Sequence, residues 1–237
     1  MGKRAAIISV IVLISGLAIL GYYLQQGRKS LLTDPYKAIS PTAVVIIATV
    51  DLQSFLNSLT TGKGLFGEAG KIKEFDAFNG KIKFLADQLN KPAYNNILDG
   101  SHALISFHMA EEEKLHSLLS MAVTSGIRLR QIREALRSSG IMTITETSML
   151  GSTVLGLPYS IGQQKDTVYI SNISGLLLCS SSAELMKGAM TQTSRESDVR
   201  NTPGFSRILQ ASGKREDKIF VVLKNLLGIF RSAFKVC

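Results

Sequence analysis

Tryptophan is absent from the 237-residue chain, histidine occurs three times and cysteine twice, and each scarcity removes a class of function. Cys179 sits in an apolar run and Cys237 is the last residue, so the chain has no disulfide framework, and a buried thiol suits Cys179 better than a metal ligand does. No GxSxG elbow, HExxH helix or Cys-His arrangement is present. The serines at 180–182 read as a helix cap rather than as a nucleophile. Glycines at 62, 64 and 67 fit GxGxxG, but they follow a predicted helix where a dinucleotide fingerprint follows a strand. Gly70-Lys71 fails as a phosphate loop, because Leu65 occupies the first glycine position and Ile72 replaces the Ser or Thr. These absences lead to the expectation of no catalytic set, no cofactor and no metal. The histidines are the residual candidates. His102 and His108 face one side of a predicted strand, roughly 20 Å apart at strand rise, too far to share an ion. His116 is placed to meet one of them across a hairpin.

What the chain does have is an uncharged run at residues 5–24, AAIISVIVLISGLAILGYYL, whose length matches the roughly 30 Å of a bilayer's hydrocarbon core. Lys3 and Arg4 precede it, and Tyr22 and Tyr23 close it in the manner of an aromatic belt. A cleaved signal fits less well, because the run is longer than an h-region and its exit lacks a small-x-small site. The expectation is a single-pass membrane protein with residues 1–4 cytoplasmic, a transmembrane helix at 5–24, a polar stalk at 25–41 and an exported domain from 42, periplasmic in a Gram-negative cell. Arg28 and Lys29 weaken the charge asymmetry on which that direction rests.

Lysine and arginine number 27 against 18 acidic residues, a net charge of +9. A positive surface draws a domain toward anionic lipid or nucleic acid. For an exported domain nucleic acid is excluded, and the partners expected are the bilayer and a protein of the envelope. Arg130, Arg133 and Arg137 share one stripe of a predicted helix and are the candidate lipid or partner contact.

Periodicity predicts an α+β domain with a mostly antiparallel sheet and helices packed on it, extending over 42–216. A β-branched strand at 42–50 precedes Asp51, which reads as the N-cap of a helix with Leu52, Phe55, Leu56 and Leu59 inward. Helices are expected at 68–78 and 81–89, a hairpin at 101–109 and 114–123, and a helix at 126–139 with Ile127, Leu129, Ile132 and Leu136 inward. Strands follow at 141–147, 152–159, 167–172 and 175–180, then a helix capped by Ser182 and a short helix near 205–209. Residues 217–237 repeat the opening grammar, with Asn225 standing where Asp51 stood. They either complete the sheet or begin a second repeat.

The basic N-terminus, the apolar run, the strand entering Asp51-Leu52, and the paired strands running into Ser180-Ser-Ser-Ala-Glu184 together resemble uncharacterised anchored envelope proteins of Gram-negative bacteria. Those carry a repeated α+β domain of unknown function. The resemblance implies an envelope protein and carries no catalytic residue to this chain. The function expected is therefore a membrane-tethered interaction or scaffold domain without enzymatic activity. The alternative is an envelope hydrolase or small-molecule binder with a cleft beside the sheet, using His102 or His108.

Overall fold

The computed structural model describes residues 34–61, 102–109, 115–123, 129–138, 140–141, 143–161, 164–213 and 217–225. The predicted anchor at 5–24, the helices expected at 68–78 and 81–89, and the glycines at 62, 64 and 67 lie outside the described residues. Among the described residues no helix is long and apolar enough to cross a membrane.

The fold is α+β, built on a large antiparallel sheet with few helices. In chain order the elements are β1 (Val45–Thr49), α1 (Leu52–Thr60), β2 (Ala103–Met109), β3 (Leu115–Ala122), α2 (Leu129–Ser138), β4 (Thr145–Met149), β5 (Ser152–Ile161), β6 (Gln164–Ile173), β7 (Leu176–Ser180), α3 (Ala183–Gln192), α4 (Phe205–Ala211) and β8 (Lys218–Val221). The sheet runs β4-β5-β6-β7-β3-β2-β1-β8, with every neighbouring pair antiparallel. The meander β4 to β7 thus docks by its last strand onto β3, and β8 returns to pair with β1 in the register Val45 to Val221.

Strand alternation gives both faces apolar residues, and each face is covered. On one face Ile47, Ile105, Phe107, Leu119, Met121, Leu155, Leu157, Val168 and Leu177 pack with Leu52 and Phe55 of α1 and Ile132 and Leu136 of α2. On the other, Ile46, Leu104, Leu118, Val154, Leu176, Leu178 and Phe220 meet Met186, Ala189 and Met190 of α3, Phe205 of α4, and Ala38 and Ile39 ahead of β1. Cys179 lies in the first cluster as a free buried thiol, and burial pushes its pKa up to about 12.

Both helix caps read from the sequence are present. Asp51 Oδ1 accepts from Ser54 N at 3.0 Å, and Ser182 Oγ accepts from Leu185 N at 3.3 Å. The neighbouring serines spend their hydroxyls on backbone: Ser180 Oγ donates to Ser182 O, and Ser181 Oγ accepts from Ser117 N. The strand expected at 141–147 is displaced to Thr145–Met149. A two-residue turn, Leu150-Gly151, joins it to β5 with φ of 51° and 73°, and leucine is not a residue that announces such a turn.

Residues 34–40, read from the sequence as the later half of the stalk, are packed against the α3 face. A 3₁₀ turn, Pro35–Ala38, is capped by Asp34, and Ala38 and Ile39 are buried. Ser120 Oγ donates to Pro35 O at 3.0 Å, and Val199 N donates to Ile39 O at 3.1 Å. Arg200 fastens this strap. Its guanidinium donates from Nε to Asp198 Oδ1 at 2.9 Å, also bonds Asp198 Oδ2 and Asp34 Oδ2, and lies 5.6 Å above the Tyr36 ring.

Candidate functional site

The hairpin β2–β3 sets His108 directly opposite His116, on the α3 face. The strap passes at one end of these strands and α3 packs alongside, which leaves a cleft of about 330 Å³. Its lining includes Ser40, Thr42, His108, His116, Glu184 and Arg195. Of the two pairings open to His116, the structure therefore makes the one with His108. His102 stands exposed just before β2 and does not line the cleft.

His108 is buried, 5 % exposed. Its Nε2 is 2.9 Å from Ser106 Oγ, and Ser106 has Leu118 O as acceptor at 3.5 Å. The Ser106 hydroxyl and Nε2 thus share one short hydrogen bond whose donor follows from the ring tautomer. Nδ1 has a 3.5 Å contact with Thr42 Oγ1, whose hydroxyl donates to Ser40 Oγ at 3.0 Å. Burial, and secondarily the neighbouring His116, lower the His108 pKa to about 4.

The arginine stripe is resolved into separate roles. Arg130 pairs with Glu134 one turn on at 3.5 Å, and Arg133 crosses to Glu146 of β4. Arg137 is exposed in the last turn, where its charge suits the helix dipole. Arg133 lies on the flank of the buried stripe of Ile132 and Leu136, so it reaches the sheet edge instead of solvent. Two of the three charges thus have carboxylate partners within the fold.

No family model matches the chain, and neither a characterised protein nor a solved structure matches it. The site has to be judged by its own chemistry. Among the described residues no three of His, Cys, Asp and Glu gather to hold a metal. The cleft instead combines a buried imidazole, a second imidazole, hydroxyls, and one charged side chain of each sign.

Sequence reading reached His108 and His116 through strand alternation. It missed Asp34, Asp198 and Arg200, whose network joins positions 166 residues apart. The signal available was local: Asp198 and Asn201 form a capping box around the 3₁₀ turn Val199–Asn201.

Proposed function

We propose that the chain is a membrane-tethered domain of the cell envelope that acts by binding protein, as an interaction or scaffold module. The observation that carries this reading is the fastened strap. The folded unit grips the polypeptide from Asp34 onward, and nine residues of sequence, 25–33, separate that point from the apolar run ending at 24. Nine residues span at most about 30 Å, so an anchor at that run would keep the domain beside the bilayer. The resemblance to anchored envelope proteins supports the same reading, as do the basic residues ahead of the run. Arg130, Arg133 and Arg137 remain the candidate contacts with anionic lipid or a partner.

The sheet offers a surface for association because its edges are unlike. β4 presents Thr145, Glu146, Thr147 and Ser148, all exposed and polar, as a guarded edge. β8 has β1 as its partner among the described residues and buries Phe220 on the α3 face. On the other face Ile219 and Val221 are 46 % and 47 % exposed. The occupant proposed is β8 of a second copy. Antiparallel pairing about Phe220 sets Ile219 of each copy opposite Val221 of the other, which satisfies a two-fold axis. The strand is short, and confinement to one bilayer supplies the effective concentration that a small interface needs.

The test uses the full chain in membranes, with alkaline phosphatase fused at the C-terminus and cross-linking as the second readout. Expected are phosphatase activity outside the cytoplasm and a cross-linked dimer that Ile219→Lys with Val221→Lys abolishes while circular dichroism is unchanged. A cytoplasmic fusion, or a dimer indifferent to those substitutions, overturns the reading.

A further inference from the structure

The cleft suggests a specific ligand, independently of where the domain resides. We propose that His108 and His116 form a two-imidazole site for a divalent transition metal of the nickel, copper or zinc class. Directly opposed residues on antiparallel strands have Cβ atoms about 4.5–5.5 Å apart, within the span that lets two imidazoles meet at one ion with bonds of about 2 Å.

His108 has the outer arrangement of a metal-binding imidazole. One ring nitrogen is hydrogen-bonded to Ser106 Oγ at 2.9 Å, so the ring orientation is set before any ion arrives. The other nitrogen, Nδ1, has a long contact of 3.5 Å with Thr42 Oγ1 in place of a short hydrogen bond, which an ion can displace.

Protein ligands stop at two among the described residues, since no cluster of three is present. The remaining coordination positions therefore go to water or to a small anion entering the cleft, whose lining includes Arg195 as well as Glu184. Such a site is exchangeable, unlike the closed four-ligand arrangement of structural zinc. Imidazole donors select nickel, copper and zinc over magnesium and calcium.

The experiment titrates Ni²⁺ into the full chain in detergent, in a Cys237→Ser background that removes the terminal thiol. Isothermal calorimetry is expected to show one ion per chain. His116→Gln, on the less buried partner, is expected to weaken binding at least tenfold, whereas His102→Gln leaves it unchanged. Bound Cu²⁺ is expected to show hyperfine coupling to two imidazole nitrogens by electron paramagnetic resonance, reduced to one in His116→Gln. Absence of Ni²⁺ binding to the parent chain, binding indifferent to His116→Gln, or an equal loss in His102→Gln overturns the proposal.

Discussion

His108 shows what one buried side chain does to the pH response of the fold. Its pKa of about 4 lies below the ordinary 6.5, so between those values the unfolded chain takes up a proton that the folded one refuses. Stability from this residue is intact above pH 6.5 and is lost as pH falls toward 4. A shift of that size corresponds to about 3 kcal/mol for a group this buried. His108→Gln is therefore expected to flatten the decline in urea midpoint between pH 6.5 and 4.5, whatever it does to stability at pH 7. A variant curve parallel to the parent's removes His108 as the cause. Alternation in the histidine-bearing hairpin places this residue on a face from sequence alone. Its burial came from α3 and the strap, which lie far along the chain and leave no local trace.

At the level of elements, period and punctuation carried most of the information. The strand before Asp51, the β2–β3 hairpin and the Ser182 helix all stand within a few residues of where sequence puts them, because caps and alternation act locally. Order within the sheet was not legible. That β7 rather than β4 joins β3 depends on pairing between Leu119 and Cys179, which no local pattern encodes. Nor did the sequence show the β4–β5 turn, since Leu150 holds φ of 51° where asparagine is preferred. Leu150 is 56 % exposed and makes no core contribution. Leu150→Asn is expected to stabilise the domain by about 0.5–1 kcal/mol by relieving the left-handed penalty. Thermal denaturation checks it, and a lowered midpoint would show that the leucine side chain contributes packing there.

For the whole molecule the strap matters most, because it makes the segment after the link part of the fold. Asp198 is 2 % exposed, and its carboxylate is balanced by Arg200, with Lys37 more distant at 3.9 Å. Burial raises the Asp198 pKa, but the hydrogen bonds and charge of Arg200, helped by Lys37, outweigh it and hold the carboxyl below its ordinary value. The stability so gained is present above about pH 4 and is lost as pH falls through the lower folded-state value. Arg200→Ala strands that carboxylate and is expected to cost about 2 kcal/mol at pH 7, with a smaller difference from the parent at pH 3. Chemical denaturation at the two pH values measures both. An equal cost at each would assign the effect to lost packing over Tyr36.

A fastened strap also determines how the domain carries mechanical load. Tension arriving from the direction of residue 33 reaches the Asp34–Arg200 pair and the Ser120 bond to Pro35 before it reaches β1. β1 is held by backbone hydrogen bonds to β2 on one side and β8 on the other, more firmly than the strap. The strap is therefore the weak link in series. Under pull it peels first, lengthening the chain while the sheet stays folded, and Ala38 and Ile39 are the residues that such a stretch brings into water.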